Sequence, residues 1–169
     1  MAVLRNASVC LALVLFLGCA GPDEPLTHND PDRYTLAANV PWSAPDGFGL
    51  SMDIYTPRSG QASYPVLVIF HGGGWLINDK SIMDQAAKYV ATNGKYVVCN
   101  VDYRLLGEQS NTVTLNEIVN DALGAVLWIK NNIAGYGGDP RRVALTGDRA
   151  GAHLAAAVVN LGPHRSSSG

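Results

Sequence analysis

The sequence predicts an α/β fold, in which the strands of a mostly parallel sheet alternate with helices that cover both faces. Two segments, 66–70 and 96–101, are almost continuously apolar and rich in β-branched residues. That composition is typical of strands buried on both faces. A segment of helical composition, 79–92, separates them and ends at a helix-stop signal, Asn93-Gly94. Alternation at this spacing indicates right-handed crossovers within a single domain.

The first strands of the predicted domain differ from the later ones. Residues 34–40 are predicted to form the first strand. In the second, Leu50, Met52 and Ile54 alternate with more polar neighbours, which is the period-two pattern of a half-exposed strand. Pro45-Asp46-Gly47 supplies the turn between the two.

The strongest helix prediction covers residues 114–133. Thr114 and Glu117 have the spacing of a capping box. Apolar residues follow at steps of three and four and share one face of the helix: Leu115, Ile118, Ala122, Val126, Ile129 and Ile133. Three glycines and Pro140 end this helix and lead to a predicted strand at 142–146, and a helix is predicted at 152–159.

The composition excludes several classes of protein. Hydrophobic residues make up 47% of the chain and charged residues 15%, which fits a globular core and argues against disorder. A net charge of −2 without a basic stripe excludes nucleic acid as a partner. The three cysteines have neither the number nor the spacing of a disulfide framework or a zinc site. We therefore predict no metal and no cofactor.

The first 20 residues have the pattern of an export signal. Arg5 precedes an unbroken apolar run at 9–17, which is too short to span a membrane. Two processing outcomes remain open. Cleavage before Cys19 would leave a lipid-bearing residue and membrane anchoring, whereas cleavage after Ala20 would release a secreted protein. A buried N-terminal strand or helix is the competing structural interpretation. In either processing outcome, we predict that the protein is exported.

The remaining chain divides into three predicted parts. Residues 21–32 are rich in Pro, Asp and Asn and are predicted to be a linker. Residues 33–161 form a partial α/β domain. Residues 162–169 are polar, serine-rich and aperiodic, and we expect a disordered tail.

The first segment that suggests chemistry is His71-Gly72-Gly73-Gly74-Trp75, directly after the strand at 66–70. Glycines at the carboxyl end of a buried strand leave backbone N–H groups unobstructed, so they can point at a developing negative oxygen. A plain glycine turn is the alternative interpretation. A P-loop is excluded, because no Gly-Lys-Ser/Thr follows.

The second such segment is Gly147-Asp148-Arg149-Ala150-Gly151, between a predicted strand and a predicted helix. It has the frame of the G-x-S-x-G nucleophile elbow, which exposes a serine hydroxyl on a sharp turn. Arg149 occupies the serine position. A guanidinium stays protonated and cannot attack a carbonyl.

In these two segments and two others, the chain resembles the α/β-hydrolase superfamily and, within it, esterases and lipases of the hormone-sensitive-lipase-like type. The resemblance covers roughly residues 33–160. The four matching segments are His71-Gly72-Gly73-Gly74-Trp75, Val101-Asp102-Tyr103-Arg104-Leu105, Tyr136-Gly137-Gly138-Asp139-Pro140 and Gly147-Asp148-Arg149-Ala150-Gly151-Ala152-His153-Leu154.

The resemblance implies a carboxylic-ester hydrolase that acts on a small-molecule ester through an acyl-enzyme. Position 149 would hold the nucleophile, and the N–H groups of Gly73, Gly74 and Ala150 would line the oxyanion hole. The resemblance also implies supporting roles for His71, Gly72, Trp75, Gly147, Asp148, Gly151 and His153. Trp75 would wall the acyl pocket, and Asp102 and Arg104 look like structural charged residues near the site.

Two departures from the family pattern predict that this chain is inactive as written. Arg149 replaces the nucleophile, whose loss lowers the rate of a serine hydrolase by about six orders of magnitude. The family's acid and histidine follow the nucleophile along the chain. After Arg149 there is no Asp or Glu, and the histidines there, His153 and His164, lie on the elbow helix and in the tail. The strand around Val143 is also expected to present an open edge that favours aggregation.

Three interpretations of Arg149 remain. In the first, the chain is an altered or incomplete copy of a carboxylesterase. In the second, it is an exported pseudoenzyme that binds an anion or carboxylate through Arg149. In the third, Arg149 reflects a changed codon. The sequence does not separate esterase from lipase, amidase or formamidase.

Overall fold

A five-stranded mixed sheet forms the centre of the protein in the computed structural model, which describes residues 33–161. The strand order is β1-β2-β4-β3-β5. The strands are β1 Tyr34–Ser43, β2 Leu50–Pro57, β3 Tyr64–Phe70, β4 Val97–Val101 and β5 Gly138–Gly147. β2 pairs antiparallel with β1 and β4, whereas β3 pairs parallel with β4 and β5. The predicted leader with Cys19, the linker and the tail lie outside the described residues.

Three α-helices pack against this sheet. They are α1 Asp84–Tyr89, α2 Leu115–Asn132 and α3 Ala150–Leu161. Shorter 3₁₀ turns occur at Pro45–Gly47, Lys80–Met83, Gln109–Asn111 and Ile133–Tyr136, and a π-helical turn at Val90–Gly94. Within residues 33–161, no helix has the length and apolar character needed to cross a membrane.

The core lies on both faces of the sheet, which confirms the predicted α/β layering. The larger cluster joins the sheet to α2 and α3 and includes Val66, Val68, Ile118, Ile129 and Leu154. The smaller cluster lies on the opposite face and joins the sheet to α1 and the π turn. It consists of Tyr34, Tyr55, Ile69, Ala87, Ala91 and Val98.

The predicted helix at 79–92 is instead a succession of three short helical turns. The Asp79 side chain accepts a hydrogen bond from the Ser81 N–H (2.8 Å) and starts the 3₁₀ turn. The Asn93 amide donates to the Tyr89 carbonyl (3.0 Å) within the final π turn. Lys95, with a φ of 55°, then ends the segment in the left-handed region. In a regular α-helix the Tyr89 carbonyl would accept from the Asn93 N–H, and the Asn93 side chain competes for it, which favours the final π turn.

Candidate active site

The two glycine-containing segments leave the sheet side by side. β3 and β5 are parallel neighbours, and Phe70 lies opposite Gly147 in their register. The oxyanion loop, which we define as residues 71–75, starts directly after Phe70. The elbow, residues 147–151, starts at Gly147. Both segments therefore emerge at the carboxyl ends of adjacent strands.

The glycines of the elbow permit direct contact between main chains. A Cβ atom on Gly147 would lie 2.5 Å from the Phe70 carbonyl oxygen. A Cβ atom on Gly151 would overlap the same oxygen and lie 2.7 Å from the carbonyl oxygen of His71. Neither neighbour is a movable side chain, so both positions require glycine.

The oxyanion loop turns sharply at Gly73 and Gly74. Their φ angles are 119° and 65°, which lie in the region that favours glycine. The Gly73 carbonyl accepts hydrogen bonds from the N–H groups of Leu76 (3.2 Å) and Ile77 (3.3 Å). A side chain at Gly73 would overlap the Ile77 carbonyl.

Three N–H groups of this region have no acceptor among residues 33–161. They belong to Gly73, Gly74 and Ala150, the residues predicted to form the oxyanion hole. Ala150 is also the first residue of α3, where the helix dipole favours negative charge. Such donors can hold a partly or fully negative oxygen.

Asp148 connects the elbow to the oxyanion loop. A Cβ atom on Gly72 would lie 2.7 Å from both oxygens of the Asp148 carboxylate. Glycine at position 72 therefore makes room for this carboxylate. The contact places a negative charge beside the loop, and the supporting role of Asp148 stays a prediction.

His71 is directed into the protein and is 1% exposed. Its Nδ1 lies 2.8 Å from the Gly72 carbonyl oxygen, which can only accept, so Nδ1 carries the proton of this hydrogen bond. The ring stacks on that of Tyr103 at 4.3 Å and 10°. The Tyr103 hydroxyl donates to the His71 carbonyl at 2.6 Å.

Trp75 lies between the elbow helix and the loop after β4. Its ring meets that of His153 edge to face at 5.8 Å, and its carbonyl accepts from the Leu106 N–H at 2.8 Å. Trp75 also packs against the larger core cluster. The described residues form clefts of about 540 Å³ near Tyr136 and about 420 Å³ between β5 and α3, and Trp75 lines neither of these two. Its role as an acyl-pocket wall remains a prediction.

Arg149 is at the tip of the elbow, in the position expected for a nucleophile. Its φ of 46° is left-handed, and its side chain is exposed. Within the part of the chain that the structure describes, its guanidinium has no hydrogen-bond or ion-pair partner. The main-chain bond from the His153 N–H to its carbonyl (3.2 Å) starts α3.

Arg104, in the loop after β4, is tied to α2. Its Nε and Nη2 atoms donate to the two carboxylate oxygens of Asp121, at 2.8 and 2.9 Å. Its backbone N–H donates to the same carboxylate at 3.1 Å. The hydrogen bond to Asp121 is the main cause of the raised pKa of Arg104. Arg104 is 4% exposed, so this buried pair positions the loop.

Asp102, in contrast, pairs with Lys80. Its carboxylate accepts from the Lys80 backbone N–H at 2.7 Å and lies 3.3 Å from Nζ. No sequence pattern predicted a role for Lys80, Asp121 or Tyr103. Asp121 could have been noticed as an acidic residue beside Ala122 on the apolar face of α2. The partners of Lys80 and Tyr103 lie too far along the chain for a local signal.

Comparisons with known proteins identify the family and the fold. The family described as BD-FAE matches residues 52–164. The chain is 34% identical over 108 residues to carboxylesterase NlhH of Mycobacterium tuberculosis H37Rv. The aligned residues make up 64% of this chain and 33% of NlhH. It is 36% identical over 112 residues to phenmedipham hydrolase of Pseudarthrobacter oxydans, covering 65% of the chain and 23% of the relative. It thus spans a third or less of these relatives.

Solved esterases share the fold of the described residues. A bacterial heroin esterase superposes with a TM-score of 0.69 at 32% identity, over 80% of this chain and 41% of that one. Esterase Est2 of Thermogutta terrifontis superposes with a TM-score of 0.64 at 27% identity, over 75% of this chain and 43% of Est2. Both structures support the assignment of the sheet and its connections.

Proposed function

The chain belongs to the BD-FAE family of hormone-sensitive-lipase-like α/β-hydrolases, and from this premise we propose that it is a carboxylesterase whose nucleophile is replaced by Arg149. We expect that a chain with arginine at this position does not carry out acyl transfer.

One observation carries this proposal: the unpaired N–H groups of Gly73, Gly74 and Ala150 occur where the oxyanion loop meets the elbow. In the intact chemistry, a serine at position 149 attacks the ester carbonyl and forms an acyl-enzyme that water then hydrolyses. The carbonyl oxygen gains negative charge in the tetrahedral intermediate, and the three N–H groups stabilise that charge. Arg149 leaves the donors in place and removes the attacking atom.

The substrate class follows from the relatives and from the leader. The relatives are named as a carboxylesterase, a phenmedipham hydrolase and a heroin esterase, so we propose a small-molecule ester. The export signal that the sequence predicts favours a substrate outside the cytoplasm, and we propose acetylated sugars and short acyl esters as candidates. Anchoring through a lipidated Cys19 belongs to this proposal.

The test restores the nucleophile. Arg149→Ser is made in this chain extended with the C-terminal segment of a matched carboxylesterase, and hydrolysis of p-nitrophenyl acetate is measured. We expect a gain of several orders of magnitude over the arginine form. Arg149→Ala in the same extended protein is the matched control. Folded Arg149→Ser protein that hydrolyses the ester no faster than Arg149→Ala would reject the proposal.

A second candidate function is binding of a carboxylate or another small anion. The observation that favours it is the exposed, unpaired guanidinium of Arg149 at the start of α3. Arginine suits bidentate carboxylate recognition. Calorimetric titration with acetate, butyrate and phosphate should show binding that Arg149→Gln abolishes. No heat from any of the three anions would eliminate this function.

A further inference from the structure

We propose that Tyr103 is a positioning residue for the oxyanion loop: its hydroxyl holds the His71 carbonyl and so sets the direction of the Gly73 and Gly74 N–H groups. The inference deepens the proposed function, since it names the side chain that orients the donors of that same site.

The contact between Tyr103 and His71 has two parts. The hydroxyl donates to the His71 carbonyl at 2.6 Å, and the two rings stack at 4.3 Å. Tyr103 is 3% exposed, and burial raises the pKa of its phenol, with smaller contributions from the charges of Asp148 and Asp102. The phenol therefore stays protonated and donates its hydrogen bond to the His71 carbonyl. A short, buried hydrogen bond has little competition from water.

This hydrogen bond restrains the loop at the point where its glycines begin. His71 is the last residue before the three glycines, whose backbones have the widest conformational freedom. The His71 ring is hydrogen-bonded to the Gly72 carbonyl, and a Cβ atom on Gly151 would lie 2.7 Å from the His71 carbonyl oxygen. The Tyr103 hydroxyl therefore acts on the peptide where the loop and the elbow touch. Among the described residues, Tyr103 is the only one outside residues 71–75 whose side chain donates a hydrogen bond to the main chain of that loop.

Tyr103 is itself held in place by its chain neighbour. The backbone N–H and guanidinium of Arg104 bind the Asp121 carboxylate, so the loop after β4 is fixed to α2. The line of contacts runs from α2 through Arg104 and Tyr103 to His71. Rigid support of this kind is what holds donors within the small tolerance that catalysis requires.

The test compares Tyr103→Phe with Tyr64→Phe in the ¹⁵N-labelled chain by NMR relaxation. Tyr64 is a matched control, since it is also 3% exposed and its hydroxyl is hydrogen-bonded to Ser59 (3.1 Å) and the Gln61 N–H (3.0 Å). In Tyr103→Phe we expect the N–H order parameters of residues 72–74 to fall from about 0.85 to below about 0.6. The same values should not change in Tyr64→Phe. Unchanged order parameters in a folded Tyr103→Phe protein would overturn the proposal.

A second measurement decides the matter if Tyr103→Phe does not fold. In the unchanged protein, the Tyr103 hydroxyl proton should exchange slowly enough to be observed and should correlate with the His71 carbonyl carbon across the hydrogen bond. Exchange at the bulk-water rate would overturn the proposal without any variant.

The kinetic readout separates this inference from the proposed function. In the extended Arg149→Ser protein, Tyr103→Phe should lower kcat by up to about 100-fold with little change in KM, because misdirected donors weaken transition-state binding. If Arg149→Ser shows no hydrolysis, the proposed function fails, whereas the relaxation data still decide the role of Tyr103. A loss confined to KM would contradict the positioning role.

Discussion

At the scale of single residues, the elbow is determined by contacts between main chains. Gly151 packs on the carbonyls of Phe70 and His71, so an added methyl group meets atoms that cannot rotate away. The sequence identified Gly147 and Gly151 as the frame of the turn, because the G-x-x-x-G spacing is local. It did not identify Tyr103, whose hydrogen-bond partner lies 32 residues away.

We predict that Gly151→Ala destabilises the protein by about 3 kcal/mol or more, because the methyl group overpacks a rigid contact. The measurement is the free energy of unfolding from urea denaturation. Gly135→Ala is the matched control: no atom lies within 4 Å of its added methyl group, and its φ is not positive. Equal stability of the two variants would contradict the prediction.

At the scale of elements, the loop after β4 is joined to α2 by a buried ion pair. The predicted bounds of this helix, 114–133, agree with the observed Leu115–Asn132 within one residue at each end. The apolar period and the capping box that predicted it both involve residues close together in the sequence. The Thr114 hydroxyl accepts from the Glu117 N–H at 3.3 Å, and the Glu117 carboxylate accepts from the Thr114 N–H at 2.8 Å. The pairing of Arg104 with Asp121 was not predicted, because it depends on how the loop approaches the helix.

We expect Asp121→Ala to lower the free energy of unfolding by about 3 kcal/mol, because it leaves the Arg104 charge buried without its bidentate partner. Arg141→Ala is the control, since this arginine is 89% exposed in its pair with Asp139 and its loss should change stability by less than about 1 kcal/mol. The double change Arg104→Met with Asp121→Leu should recover much of the loss. A small effect of Asp121→Ala would show that the pair does not anchor the loop.

At the scale of the whole molecule, the described sheet has two edges of different character. β1 is interrupted by register shifts between Ala37 and Val40 and between Pro41 and Ser43. Irregularities and prolines protect an edge against pairing with other chains. β5 pairs regularly with β3 from Val143 to Gly147 and lies at the opposite edge among residues 33–161. The apolar pattern predicted these strands, but the order of β1 and β2 beside β4 depends on tertiary contacts that a local pattern does not record.

We predict that the chain associates through β5 as its concentration rises, and that Ala144→Lys reduces this association. Ala144 is exposed, so a lysine there adds charge to the edge without removing core contacts. Sedimentation velocity across a concentration series is the measurement. Ala134→Lys, at an exposed position outside the strands, is the control. Identical behaviour of the two lysine variants would show that β5 is not the surface responsible.

The left-handed tip of the elbow has a practical consequence for protein engineering. The turn is closed by glycine and carbonyl contacts on either side of Arg149, and the arginine side chain makes none of them. Side chains that tolerate a left-handed backbone can therefore replace Arg149 without loss of any contact that holds the turn. A library at this one codon, without proline and the β-branched residues that a φ of 46° disfavours, would give a panel of proteins that differ in the side chain presented to the neighbouring amides.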